Sequence, residues 1–250
     1  MVVRITPIKT RRINPPQDEI WDVLDKIVPK LKDSVMVAIA SKIISIHEGR
    51  TLPISKYPDR NELIKKEADY WLPRTNVNGA RRLYTITQNT FVGSGGIDQS
   101  NAKNHWILYP KNPFESAKTI RNYLMKRAGI KNLGILITDS HSLPLRRGTM
   151  GVSIAYWGFQ PLRRYVGTKD LYGYKFRFTE MNVADNLAAA TVLTMGEGKE
   201  QTPIAIVSDM GRAVEFTNAD PYKSGHFLSL EEDLFGPLLK KMGWRKSGHK

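Results

Sequence analysis

The chain has 250 residues, with 38 Lys and Arg against 24 Asp and Glu, a formal net charge of +14, 41% hydrophobic residues and no cysteine. That composition excludes a disulfide-stapled miniprotein, a collagen-like repeat and a fully disordered tail, and it removes thiolate catalysis and Cys-ligated zinc or iron–sulfur sites. No apolar run approaches the roughly eighteen residues of a spanning helix, polar Thr10-Arg11-Arg12 arrives too early for a signal-peptide core, and the lack of cysteine agrees with a reducing, cytoplasmic setting.

Arg4 to Ile8 reads as a short strand, and Pro15-Pro16-Gln17-Asp18 opens a helix with Ile20, Leu24, Ile27 and Leu31 on its apolar face and a stop or kink at Pro29. Val35 to Ala40 is almost wholly apolar, the pattern of a strand covered on both faces. Ser41 to Arg50 reads as a loop and a short amphipathic turn closed by Gly49, Asn61 to Trp71 as a helix, and Arg74 to Gly79 as a polar turn. Leu83 to Ile86 and Phe91-Val92 flank a Gln88-Asn89 turn, and Trp106 to Tyr109 is a further strand. Phe114 to Ala128 is a helix ended by Gly129, and Leu133 to Thr138 a buried strand. Met150 to Ala155 and Lys175 to Met181 read as strands around a folded loop region. Val183 to Met195 is the best helix, broken by Gly196-Glu197-Gly198; Pro203 to Val207 is a strand and Glu231 to Met242 a helix. Helix-linked strands mix with hairpin-like pieces, and no linker or repeat divides the chain. The expected architecture is a mixed-sheet α+β fold in a single domain over residues 1–250.

Three segments place an acid at the exit of an apolar element: Gly93-Ser94-Gly95-Gly96-Ile97-Asp98, Thr138-Asp139-Ser140 and Gly196-Glu197-Gly198. Glycine lets backbone approach an oxyanion, and carboxylates suit a hard divalent cation. The ordinary alternative is that aspartates make turns after strands and glycines stop helices. No Walker A pattern is present. Ser41 and Lys42 add possible phosphate donors, and Arg146-Arg147-Gly148 a possible clamp for a carboxylate or phosphate. The histidines form no ligand spacing, and Asp139-Ser140-His141 lacks a nucleophile elbow, which argues against hydrolase chemistry. Basic residues are scattered rather than gathered on a nucleic-acid module, so a small anionic ligand is favoured over a nucleic acid.

Taken in order, several short motifs resemble the coenzyme F420-0 gamma-glutamyl ligase family: Ser41-Lys42-Ile43-Ile44-Ser45 with Glu48-Gly49-Arg50, Gly96-Ile97-Asp98 through Asn101, Thr138-Asp139-Ser140, Arg146-Arg147-Gly148, Gly167 through Gly173, and Ala184-Asp185 followed by Met195-Gly196-Glu197-Gly198. The resemblance implies a homodimer whose mixed fold has two closely associated lobes. It implies GTP and Mg²⁺ or Mn²⁺, used to join glutamate to a phosphorylated acceptor through an acyl phosphate; for this chain the expectation widens to GTP or ATP, and to glutamate or another amine on an anionic acceptor. By the same resemblance, Asp98 and Asp139 are first metal ligands, and Ser140 and Glu197 belong to a second metal. Ser41, Lys42, Asn101 and Gly196-Glu197-Gly198 are nucleotide contacts, Arg11 and Arg12 lie in the nucleotide loop, and Arg146 and Arg147 are candidate substrate clamps.

The chain departs from the family pattern at four places. Ile46 stands where a phosphate-contacting lysine is usual, Thr10-Arg11-Arg12-Ile13 replaces a glycine-led apolar loop, residues 67–82 are short and polar, and Ser208-Asp209 replaces an Arg-Gly pair. The leading expectation is a metal- and nucleotide-dependent ligase whose acceptor differs from F420-0. A non-catalytic nucleotide- or metabolite-binding homologue is the alternative, and a nucleic-acid-binding protein ranks third.

Overall fold

The computed structural model describes residues 2–73 and 83–247; the polar turn expected at Arg74 to Gly79 lies outside them. In chain order the elements begin with β1 (Arg4–Ile8), α1 (Trp21–Asp25), β2 (Val35–Ala40), α2 (Ser41–His47), β3 (Thr51–Pro53), α3 (Arg60–Glu67), β4 (Tyr70–Pro73), β5 (Leu83–Thr87), β6 (Thr90–Val92) and β7 (His105–Ile107). They continue with α4 (Pro113–Ala128), β8 (Leu133–His141), β9 (Met150–Trp157), β10 (Leu162–Arg164), β11 (Glu180–Asn182), α5 (Val183–Met195), β12 (Ile204–Ser208), α6 (Gly236–Leu239) and β13 (Arg245–Lys246).

The main sheet has five strands in the order β1-β12-β2-β8-β9. Only β2 and β8 run parallel; the other neighbours are antiparallel. This is the mixed sheet that the sequence leads one to expect. Strand β2 is apolar because it is central: Met36, Val37, Ala38 and Ile39 are all fully buried. The helices α4 and α5 pack against β8 and β9, and the close approach of α5 depends on small residues. A Cβ on Gly151 of β9 would lie 2.3 Å from the Ala188 carbonyl oxygen of α5. A second sheet, β13-β4-β5-β6, has its own apolar cluster of Leu63, Ile64, Leu83, Ile97, Trp106 and Leu108. Its β5–β6 hairpin turns on Gln88 and Asn89, whose φ angles of 48° and 59° suit a tight hairpin turn.

Local chemistry explains the long helices. Asn112 and Asn182 accept backbone N–H bonds at the starts of α4 and α5, and Gly129 takes a left-handed conformation where α4 ends. Five expectations change. The helix expected to open at Pro15-Pro16-Gln17-Asp18 and carry Ile20 to Leu31 is only Trp21–Asp25, followed by a 3-10 turn at Val28–Lys30 that contains Pro29. Ser41 to His47 is a helix rather than a loop, and it is buried on most sides. The helix from Asn61 stops at Glu67, because Ala68 is extended, and Tyr70 and Trp71 enter β4. Between Lys175 and Met181 only the end is a strand, starting at Glu180. The expected C-terminal helix shrinks to four residues of α6 and a following 3-10 turn, since Gly236-Pro237 interrupts the segment.

Candidate functional site

A cleft of about 710 Å³ opens at the carboxyl ends of the parallel pair β2 and β8, within the range that small ligands occupy. Strand β2 contributes Ala40 and passes directly into α2, which supplies Ser41, Lys42, Ile43 and Ile46. Strand β8 contributes Thr138, Asp139 and Ser140. Its pairing with β9 slips between Ile137 and Thr138, an irregularity of the kind that re-aims side chains beside a site. The remaining walls are residues 10–14 after β1, Asp98 with Ser100, Asn101 and Lys103, and the return from α5 to β12 through Gly196-Glu197-Gly198.

The acids sit in two linked groups. Asp98 Oδ2 lies 2.5 Å from the Lys42 ammonium and accepts from the Ser100 hydroxyl, while Oδ1 accepts the backbone N–H groups of Gln99 and Ser100. Burial acts to raise the Asp98 carboxyl, but Lys42 and the Ser100 bonds outweigh it and hold the group below the usual carboxylate range. Asp139 moves the other way. Burial pushes its carboxyl up, against hydrogen bonds from Tyr109 and the Ser140 backbone, and the nearby Asp98 charge adds to the rise. Across the cleft, the Ser140 hydroxyl donates to Glu197 Oε2 at 3.1 Å.

Among the described residues, no three His, Asp or Glu side chains are already gathered as a metal centre. The candidate ligands that line the cleft are nevertheless oxygen donors, and an Asp98 carboxylate close enough to raise that of Asp139 makes a pair that suits a hard divalent cation in kind. Lys42 partly supplies that compensating charge at Asp98.

The cleft is closed by backbone-directed bonds. The Asn101 side chain donates to the Gly198 carbonyl at 2.9 Å, joining positions 97 residues apart. Glu200 accepts from the Gly198 N–H at 2.8 Å. Gly196 has a φ of +81°, and a Cβ there would lie 2.5 Å from Glu200 Cδ; the glycine is needed for this turn.

Of the residues singled out by sequence, Arg11, Arg12, Ser41, Lys42, Asp98, Asn101, Asp139, Ser140, Gly196, Glu197 and Gly198 all line this one cleft. Arg11, however, is engaged elsewhere: its guanidinium donates to Asp18, Asp22 and the Glu19 carbonyl and braces the loop on α1. Arg146 and Arg147 lie on the exposed turn between β8 and β9 and do not line the cleft. Gly93 to Gly96 do not line it either; Gly95 packs on Ile64 and Gly96 on Tyr109. Ile46 is buried with Ala102 and Ile107, so an apolar wall stands at that point. Sequence reasoning missed Ser100, Lys103, Lys199, Glu200 and Tyr109. Lys199 and Glu200 adjoin a motif already noted, and Ser100 and Lys103 flank Asn101. Nothing local marks Tyr109, since its partner is thirty residues away. Arg12, Lys103 and Lys199 have no acidic partner among the described residues.

Comparison with known proteins gives the class first: ligases that join a carboxylate to an amine. The model of one such family, described as F420-0:Gamma-glutamyl ligase, matches residues 7–209, and the chain belongs to that family. It is similar to the coenzyme F420:L-glutamate ligase of Methanosarcina mazei, 33% identical over 190 residues that cover 71% of this chain and 74% of the relative. The protein of the same name from Methanocaldococcus jannaschii is 32% identical over 207 residues, covering 75% of this chain and 80% of its own. That from Halorubrum lacusprofundi is 30% identical over 243 residues, 90% and 92% of the two chains. Among the described residues no helix is long and apolar enough to cross a membrane.

Proposed function

We propose that the chain is a metal- and nucleotide-dependent ligase that uses GTP or ATP with Mg²⁺ or Mn²⁺ to form an amide between an anionic acceptor and glutamate or another amine. One observation supports this most. Acids, hydroxyls and cations from five separated segments face one cleft at the carboxyl ends of parallel strands. In this reading an acceptor carboxylate oxygen attacks the γ-phosphorus, and the nucleoside diphosphate departs. The amine then attacks the acyl carbon, phosphate departs and the amine proton is lost.

Asp98 and Asp139, with Ser140 and Glu197, are the residues to hold the cations, which supply charge neutralisation for the phosphates and the developing oxyanions. Arg12, Lys103 and Lys199 line the cleft, have no acidic partner among the described residues, and are the cations to meet phosphate oxygens at the mouth. Asn101 holds the Glu197 turn against the Asp98 segment, which fixes the spacing of acids that would otherwise sit on independent loops. Arg146 and Arg147, on their exposed turn, would act on the acceptor from outside the cleft. Ile46 and the Arg11 brace give the nucleotide end a different wall from the family pattern, and with the departures at residues 67–82 and Ser208-Asp209 the acceptor need not be F420-0.

We also infer a homodimer. The apolar side chains of Leu145, Leu171, Tyr172 and Phe178 are 98%, 99%, 87% and 89% exposed, a cost that a second copy would relieve. The reading includes a cytoplasmic location, in keeping with a chain without cysteine.

The test is phosphate release from GTP or ATP with Mn²⁺ across a panel of acids and amines. Release that requires both an acid and an amine supports the ligase. Nucleotide binding by calorimetry without release under any pairing supports the non-catalytic homologue, a reading favoured by the buried Ile46 and by the pairing of Lys42 with Asp98. Failure to bind nucleotide with either cation overturns both.

A further inference from the structure

Asp139 is held from behind by a residue that does not line the cleft. Tyr109 follows β7, is 5% exposed, and its hydroxyl donates to Asp139 Oδ2 at 2.5 Å. Burial, and after it the Asp139 carboxylate, push the phenol well above its ordinary value, so the group stays protonated and remains a donor. The ring has little freedom. Gly96 has a φ of +72°, and a Cβ there would lie 2.4 Å from ring carbon Cδ2, so the tyrosine occupies the space that any other residue would need. The Tyr109 carbonyl accepts from Arg50 Nε at 3.1 Å, and Arg50 is itself paired with Glu67. The hydroxyl is therefore delivered to a fixed point.

One side chain thus spans both acidic motifs. Its ring seats the Gly96-Ile97-Asp98 turn, and its hydroxyl seats Asp139. The glycine of the first motif, which in sequence looks like a phosphate cradle, serves to admit this ring.

We propose that Tyr109 is a positioning residue for a divalent-cation site: it sets the rotamer of Asp139 and its spacing from Asp98 by its bond to Oδ2, and so fixes the direction in which the carboxylate meets the cation. The inference rests on the reading of Asp98 and Asp139 as metal ligands. Groups that orient a metal ligand typically contribute about ten- to a hundredfold in metal affinity.

The test is titration of the full chain with Mn²⁺ alone, free Mn²⁺ being read by electron paramagnetic resonance without nucleotide or turnover. Tyr109→Phe keeps the ring against Gly96 and removes only the hydroxyl. Its half-saturating Mn²⁺ concentration is expected to rise about ten- to a hundredfold, with an unchanged circular dichroism spectrum. Tyr123→Phe removes another tyrosine–aspartate bond, to Asp25 at 2.7 Å, away from the cleft, and should leave Mn²⁺ affinity as it was. In an Asp139→Asn background, Tyr109→Phe should add no further loss, because the tyrosine acts through that carboxylate. Asp139→Glu tests the point without altering Tyr109: the extra methylene moves the carboxylate off the hydroxyl, and affinity should again fall. Unchanged affinity in Tyr109→Phe or in Asp139→Glu, or an equal loss from Tyr109→Phe with and without Asp139, overturns the proposal while the metal reading stands. A wild-type chain that binds no Mn²⁺ overturns the metal reading and the proposal with it.

Discussion

At the scale of single residues, Asp139 is the costliest feature of the cleft. Its folded carboxyl titrates above the unfolded value, chiefly because it is buried. Between those two values the folded state holds more protons than the unfolded state, so stability falls as pH rises through the interval and the deficit is complete above the folded value. Asp139→Asn keeps an acceptor for Tyr109 and removes the buried charge. It is expected to raise the melting temperature of the metal-free protein at pH 7, at about 2–4 °C per kcal/mol for a chain of this size. The gain should vanish in acid, below both values, and Mn²⁺ should stabilise the wild type more than the variant. Differential scanning calorimetry at the two pH values checks all three. Lys42 bears the opposite sign. Its ammonium occupies Asp98 Oδ2, where a cation would compete with it. Lys42→Gln should lower metal-free stability by under about 1 kcal/mol, given that Asp98 is half-exposed, and should tighten Mn²⁺ binding in the titration read by electron paramagnetic resonance.

At the scale of elements, the site depends on α5 lying tightly on β9, since the end of α5 carries Glu197 and the end of β8, paired with β9, carries Asp139. Gly151 makes that contact possible. Gly151→Val would drive a side chain into the Ala188 backbone. It should cost about 3 kcal/mol or more, read as a lower urea midpoint, and should reduce Mn²⁺ affinity by shifting the two acids apart. The elements that build this frame were legible in sequence for identifiable reasons. Val35 to Ala40 is an unbroken apolar run because both faces are covered, and Phe114 to Ala128 and Val183 to Met195 carry cap residues at their ends. The helix α2 was not legible, because Ile43, Ile44 and Ile46 are all buried and leave no polar stripe to set a period. The β4 strand was hidden because its aromatic residues continue the helical pattern, and only Ala68, which is extended, and Asp69 separate them. In the site, the acids at the three element exits and the glycines beside Glu197 face one cleft, whereas Gly95 and Gly96 serve packing instead. Arg11 misled because an arginine in a nucleotide loop and one bracing a helix have the same local sequence.

At the scale of the whole molecule, the charge of +14 and the exposed apolar segments act against each other. Leu145, Leu171, Tyr172 and Phe178 lie in residues 142–180, where most apolar side chains outside the strands face solvent. Burying them against a second copy would contribute about 25 cal/mol per Å² of apolar surface, and a stable dimer interface covers on the order of 1,200–2,000 Å². The same segments carry Arg146, Arg147, Arg163, Arg164, Lys169, Lys175 and Arg177 against only Asp170 and Glu180. Arg164 is paired with Glu180, so most of that positive charge would be brought close to its copy. Apolar attraction and like-charge repulsion respond differently to salt: screening at about 0.15 M confines charge effects to roughly 8 Å and leaves apolar burial intact. The expected result is a dimer that strengthens from low to moderate ionic strength, the reverse of binding to a polyanion, which weakens as salt rises. Light scattering after size exclusion should give about twice 28.4 kDa at moderate salt and a smaller mass at low salt. The double variant Leu171→Glu/Phe178→Glu should run as a single chain throughout, with its Mn²⁺ affinity retained because neither residue lines the cleft. A single-chain mass for the wild type at every ionic strength would remove the dimer from the reading and leave the cleft chemistry untouched.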